Sequence, residues 1–211
     1  MKNYILFDWD GNLAKTLDVW LEACRIPLQK RGLILTDEEI ASCFGMPIER
    51  FGQWGITDVD ATVTEMDEIA ARMLPEAELY PDAIEVLDNL KSQGKKMALI
   101  TTSFRANVIN LLNKYGMHHY FDVVIAYEDT KEHKPHAEPL EKALLELSGN
   151  KEEAIMIGDS DKDLGAALNT GVDSILFYPP EHAKFYKLED LKKFDPTHIV
   201  HDFRDIINIV G

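Results

Sequence analysis

A chain of 211 residues can bury one substantial core with material left over for a smaller lobe. Its formal charge of −15 repels nucleic acid and anionic membrane, so neither is expected as a partner. Apolar and charged contents of 45% and 28% are those of an ordinary globular protein, the two cysteines make no disulfide framework, and there is neither a leader-like N-terminus nor a spanning apolar run, so a cytoplasmic location is expected.

Tyr4-Ile5-Leu6-Phe7 is an apolar run that stops on Asp8-Trp9-Asp10-Gly11, and it reads as a strand buried on both faces. Residues two apart on an extended chain project to the same side, so Asp8 and Asp10 point together. Carboxylates that close repel unless a cation or a shared proton intervenes. Leu17, Trp20, Leu21, Cys24 and Leu28 then recur at helical spacing up to a stop at Gly32. Thr36-Asp37-Glu38-Glu39 is a capping-box signature opening a short second helix that ends near Phe44-Gly45-Met46-Pro47. A third helix is expected from about Asp58 to Leu74. No strand is expected between Leu13 and Pro81, so residues 15–81 read as a small all-helical lobe inserted after the first strand, with Trp20 and Trp54 in its core.

From Pro81 onward helices and strands alternate. Helices carry Ile84, Val86, Leu87 and Leu90; Val108, Ile109, Leu111 and Leu112; and Leu140, Ala143, Leu144 and Leu147. Strands are read at Lys96–Ile100, Phe121–Ala126, Ala154–Ile157 and Ser174–Phe177, with a last short strand and helix around His198–Val200 and Asp202–Val210. This alternation implies a parallel sheet covered on both faces, an α/β Rossmann-like core built from residues 1–14 and 82–211.

Ligands of such sheets bind beyond the carboxyl ends of the strands. Here those ends carry Asp8 and Asp10, Thr101 and Thr102, and Asp159 and Asp163, with Lys134 in the segment leaving another strand. The carboxylates call for a hard cation, and Mg²⁺ typically takes one or two of them with waters and a substrate phosphate. Asp8, Asp159 and Asp163 are the ligand candidates. A phosphoryl group could then sit against Asp8 as acceptor, with Lys134 offsetting charge. Asp10 could protonate the leaving oxygen and later deprotonate water, while the Thr101 hydroxyl and nearby backbone N–H groups bind the equatorial oxygens.

Asp8-Trp9-Asp10-Gly11, Thr101 at a strand end, Lys134-Pro135 and Gly158-Asp159-Ser160-Asp161-Lys162-Asp163 occur in the order of four motifs. In this the chain resembles the haloacid dehalogenase-like hydrolase superfamily, in its phosphatase branch with a C1-type helical cap, as in phosphoglycolate phosphatase and β-phosphoglucomutase-like proteins. The resemblance implies Asp8 as nucleophile, Asp10 as acid and base, and Mg²⁺ held by Asp8, the Asp10 backbone carbonyl and Asp159, with Asp163 supporting the metal's waters or Lys134. It implies an enzyme, a phosphatase acting on a small anionic phosphorylated metabolite as monomer or homodimer. A phosphomutase and a catalytically weak binding protein are the alternatives.

Asn12, Lys15 and Thr16 depart from the superfamily's usual residues. Lys15 places a cation near the expected pocket mouth, and it, Thr102 and Arg50 are candidates to touch substrate, although Arg50 could equally pair with Glu49 or Glu39. His133 and His136 flank Lys134 and are expected to be solvated loop residues, with no third ligand to make a metal site. Trp9 either gates the pocket or packs.

Overall fold

The computed structural model describes residues 1–210. Six strands form one parallel sheet: β1 (Tyr4–Phe7), β2 (Lys96–Ile100), β3 (Val123–Ile125), β4 (Ala154–Gly158), β5 (Asp173–Phe177) and β6 (His198–Val200), in the order β3-β2-β1-β4-β5-β6. Alternation along each strand sorts side chains onto two layers. Ile5 and Phe7 of β1 join Met97, Leu99, Ile155, Ile157, Ile175 and Phe177 on one face, whereas Leu6 joins Ala98, Ile100 and Met156 on the other. Helices α5 (Ala83–Ser92), α6 (Arg105–Tyr115) and α9 (Asp205–Val210) cover the first layer, and α7 (Glu138–Glu146) and α8 (Asp161–Thr170) cover the second. The doubly covered Rossmann-like sheet expected from the sequence is therefore present.

The strand order reverses beside β1: the chain adds β2 and β3 on one side, then crosses to β4 on the other. Phe7 is in register with Ile157, and the Asp8 N–H donates to the Ile157 carbonyl at 2.9 Å. The ends of β1 and β4 thus meet at the switch point, where an open α/β sheet leaves a crevice.

Between β1 and α5 lie the four helices of the inserted lobe, α1 (Leu17–Lys30), α2 (Asp37–Ala41), α3 (Pro47–Gln53) and α4 (Val59–Met73). The capping box at Thr36 and Glu39 is formed. Helix α3 was not expected, because Pro47 reads as a stop; it occupies the helix start instead, where its fixed φ fits and its missing N–H costs nothing. The strand expected over Phe121–Ala126 shrinks to Val123–Ile125, and the Asp122 carboxylate accepts the Met97 N–H at 3.1 Å.

The two connections to the lobe run side by side, tied by the Lys15 N–H to the Glu78 carbonyl at 2.8 Å and the Tyr80 N–H to the Leu13 carbonyl at 3.0 Å. The lobe has its own apolar core, including Leu21, Leu28, Ile40, Phe51 and Ile69. Phe185 belongs to that core although it lies in the sheet domain's sequence, after β5. Lys184 and Lys187 beside it pair with Asp18 and Glu38 of the lobe. Trp54 stacks on Phe51 within the lobe, and Trp9 is buried in the first sheet layer, so it packs and does not gate. No helix among the described residues is long and apolar enough to cross a membrane.

Candidate active site

A cleft of about 410 Å³ lies between the carboxyl ends of the strands and the helical lobe, with Asp8, Asp10, Lys134 and Asp159 on its walls. The turn after β1 aims the two acids. Gly11 has φ +74°, and a Cβ there would come within 2.3 Å of Asp159 Oδ2, so only glycine allows both the turn and the close approach. Asn12 is wholly buried, and its side-chain amide donates to the carbonyls of Ile157 at 2.7 Å and Asp8 at 3.3 Å. It fastens the turn to β4, which accounts for this departure from the usual residue.

Lys134 is 3% exposed and donates to Asp8 Oδ1 at 2.5 Å, Asp163 Oδ1 at 2.6 Å and the Ile100 carbonyl at 2.9 Å. Burial works against its charge, but the Asp163 and Asp8 carboxylates outweigh that and raise its pKa. Asp163 also accepts from the Ser160 N–H and hydroxyl at 3.1 and 2.7 Å, in a capping box that starts α8. Gly158 permits this packing, since a Cβ there would lie 2.3 Å from Asp163 Cγ.

Acid outnumbers base here. Burial and the neighbouring Asp163 push the Asp8 carboxyl up to about 8 against the pull of Lys134, and the same causes raise Asp159 well above the ordinary carboxylate range. Carboxylate oxygens of Asp8, Asp159 and Asp163 lie within 4.8 Å of one another, and Asp159 Oδ2 is buried with no hydrogen-bond partner. Oxygen donors with an orphaned lone pair and surplus negative charge fit a hard divalent cation such as Mg²⁺. The ring of His182, which burial pushes down to about 3, has Nδ1 4.0 Å from Asp159 Oδ2 and Nε2 2.6 Å from the Tyr80 hydroxyl.

Asp10 is held from both lobes. Its Oδ1 accepts from the Thr16 hydroxyl at 2.6 Å and the Trp20 indole N–H at 2.7 Å; its Oδ2 accepts from the Ser103 hydroxyl at 2.7 Å and the Thr101 hydroxyl at 3.4 Å. Thr16 stands at the start of α1 yet caps no helix N–H, its hydroxyl being turned to Asp10 instead. Trp20, expected only as lobe core, also walls the cleft. Thr101 is buried, and its oxygen also accepts the Ser103 N–H at 3.0 Å, so it supports Asp10 where contact with substrate oxygens was expected. Thr102 does line the cleft, under Gly45 of the lobe, whose Cβ would meet its Oγ1 at 3.4 Å.

Two expected substrate contacts are not brought to this place. Lys15 lies over the Tyr80 ring and lines a separate cavity with Arg72 and Glu78, because the chain turns at Lys15, with the Thr16 N–H donating to the Ala14 carbonyl at 2.9 Å, and Thr16, not Lys15, faces Asp10. Arg50 turns to Gln53 at 3.0 Å and does not line the cleft; neither Glu49 nor Glu39 is its partner. His133 and His136 stand at the cleft wall: His136 is exposed, as expected, 3.5 Å from Glu132, whereas His133 is partly buried and stacked on Tyr127. Thr16, Trp20, Ser103 and His182 were not singled out for the site by the sequence. A hydroxyl at a helix start six residues after Asp10 was the available signal for Thr16; His182, alone after a Pro-Pro pair, offered none.

Comparison with known proteins agrees with this geometry. The sequence model of the family described as "Haloacid dehalogenase-like hydrolase" matches residues 5–177. The chain is 29% identical to the pyrophosphatase PpaX of Halalkalibacterium halodurans, over 99% of this chain and 97% of that protein. It is 28% identical to the pyrophosphatase PpaX of Oceanobacillus iheyensis, over 98% and 96%. The crystal structure of a haloacid dehalogenase-like protein from Bacteroides fragilis superposes with a TM-score of 0.87 at 27% identity, covering 98% of this chain and all of the other. CbbY from Rhodobacter sphaeroides, crystallised with phosphate, shares the fold at a TM-score of 0.79 and 22% identity, over 98% and 96% of the two chains. With both acids of the first motif, the buried lysine and the paired aspartates after β4 gathered at one switch point, the chain belongs to the haloacid dehalogenase-like hydrolases, among relatives that include pyrophosphatases.

Proposed function

We propose that the protein is a Mg²⁺-dependent phosphatase that hydrolyses a small phosphomonoester through a phosphoenzyme on Asp8. The observation that carries this reading is the pairing of a buried Asp8, 2.5 Å from Lys134, with an Asp10 whose two oxygens are fixed by four donors in the same cleft. A nucleophile and an acid two residues apart are what a two-step displacement at phosphorus needs.

In the first step an Asp8 carboxylate oxygen attacks phosphorus, the bond from phosphorus to the ester oxygen breaks, and Asp10 delivers a proton to the departing alkoxide. Lys134 stays beside Asp8 and offsets the charge carried in by the phosphate. In the second step water attacks the acyl phosphate, Asp10 takes its proton, and Asp8 leaves as carboxylate with inorganic phosphate as product. Asp8 and Asp159 would hold Mg²⁺, joined by the Asp10 backbone carbonyl as the superfamily resemblance implies, while Asp163 holds Lys134. When bound, the ion supplies positive charge at the phosphoryl oxygens. The lobe contacts through Trp20 and Gly45 shield the cleft from bulk water.

Phosphate release from a panel of phosphomonoesters tests the reading. Wild type with Mg²⁺ should turn over part of the panel, and EDTA and Asp8→Asn should each abolish turnover. Acid quenching should trap a phosphorylated wild-type chain but no phosphorylated Asp8→Asn. Rearranged esters without free phosphate would indicate a mutase instead, and no turnover with retained Mg²⁺ binding would indicate a binding protein.

A further inference from the structure

The proposed chemistry uses the floor of the cleft and leaves its roof unexplained. That roof is the inner face of the helical lobe, where Trp20, Cys24, Cys43, Phe44, Val63 and Met66 present apolar surface and polarizable sulfur to the same cavity. The floor receives the phosphoryl group, so the roof must receive whatever the phosphate is attached to.

Charge is distributed unevenly between the two. The lysines on the cavity wall both come from the sheet domain, and both are engaged: Lys134 with Asp8 and Asp163, Lys162 with Asp161 at 2.9 Å. The lobe contributes no cation to the cavity, since Arg50 and Lys15 point elsewhere. It contributes carboxylates, Glu49 and Asp67. Asp67, on α4 next to Met66, is half-buried and has no hydrogen bond or ion pair among the described residues, and burial alone raises its pKa. A carboxylate taken partly out of water among apolar side chains lacks the donor that would compensate it. A leaving group bearing a second phosphate or a carboxylate would meet like charge and no countercharge there.

We propose that the helical lobe selects phosphomonoesters whose alcohol portion has an apolar body ending in a hydrogen-bond donor, a protonated amine or a hydroxyl, which Asp67 receives. Leaving groups that carry a second anion are rejected. This rests on the phosphatase reading and adds to it the chemistry of the leaving group; it separates the chain from the pyrophosphatases among its relatives.

The test uses the full chain with Mg²⁺ and three esters of one body: para-aminomethylphenyl, para-hydroxymethylphenyl and para-carboxyphenyl phosphate. Wild type should prefer the aminomethyl and hydroxymethyl esters over the carboxylate ester by about tenfold or more in kcat/KM, and should use inorganic pyrophosphate no better than the carboxylate ester. An aminomethyl ester ahead of the hydroxymethyl one identifies an ion pair; equal values identify a neutral hydrogen bond. Asp67→Asn should draw the three esters together, and Asp67→Lys should reverse their order, whereas a merely structural role would lower all three alike. The proposal is overturned if wild type handles the carboxylate ester or pyrophosphate as well as the aminomethyl ester. It is also overturned if neither Asp67 variant changes the ratios. Hydrolysis led by the carboxylate ester would leave the phosphatase reading standing and remove this one; no hydrolysis of any ester would remove both.

Discussion

Trp20 reaches from the helical lobe to the strand end of the sheet domain and donates its indole N–H to Asp10 Oδ1 at 2.7 Å. The same oxygen accepts the Thr16 hydroxyl at 2.6 Å, from the connection into the lobe. The orientation of the proposed acid thus depends on the lobe being docked. Trp20→Phe keeps the apolar body and removes only the donor. A hydrogen bond to a charged group contributes about 1.5–3 kcal/mol, so kcat/KM should fall about tenfold to a hundredfold, mainly through kcat. Circular dichroism should stay that of wild type, showing that the fold is kept. An unchanged kcat would show that Asp10 keeps its orientation without the lobe.

How much of this could be read beforehand follows from what each residue depends on. Asp8, Asp10, Asp159 and Asp163 stand where apolar runs break, so chain order and strand ends alone place them together. The parallel sheet was readable for the same reason, its strands being buried on both faces. Trp20 shares its helical spacing with Leu17 and Leu21, and nothing in that spacing shows where its polar edge points once the lobe docks. Lys15 is near the cleft in sequence but not in space: the chain turns tightly from Ala14 to Thr16, and the Thr16 side chain takes the inward place. Phe185 shows the limit on reading domains, since a residue after β5 in the chain packs inside the lobe.

Lys134 is the buried cation between Asp8 and Asp163. Lys134→Met keeps the stem's bulk and leaves both carboxylates without countercharge. Breaking a buried pair in this way costs about 3–5 kcal/mol, which denaturant unfolding in EDTA above about pH 8, where the Asp8 carboxyl is ionised, should show as a shifted midpoint. Adding Asp8→Asn to Lys134→Met should recover part of that loss, because one of the stranded charges is removed. Strict additivity of the two substitutions would contradict the coupling.

Asp8 also makes stability depend on pH. Its ordinary value is 3.8, and in the folded chain it is pushed up to about 8, chiefly by burial. Below 3.8 the group is protonated in both states and its contribution to stability is fully present. As pH rises the unfolded chain ionises first, so that contribution is lost progressively up to about 8. The raised Asp159 acts in the same direction. In EDTA, the unfolding temperature of Asp8→Asn should therefore gain on wild type between about pH 4 and about pH 8. Mg²⁺ should narrow that gap, since cation binding favours the deprotonated carboxylates. Parallel curves with and without the ion would contradict the assignment.

Gly11 separates backbone strain from damage to the cation site. An added Cβ would meet Asp159 Oδ2 at 2.3 Å and Leu17 Cδ2 at 2.9 Å, on a residue whose φ is +74°. Gly32 has φ +80° but open space around it. Both alanine substitutions carry the strain of the left-handed backbone, about 1–3 kcal/mol. Only Gly11→Ala also pushes on the orphaned oxygen of Asp159. The Mg²⁺ concentration for half-maximal activity should rise about tenfold or more in Gly11→Ala, by comparison with other displaced supports of metal ligands, and stay at the wild-type value in Gly32→Ala. Equal Mg²⁺ requirements in the two variants would mean that Asp159 does not hold the ion.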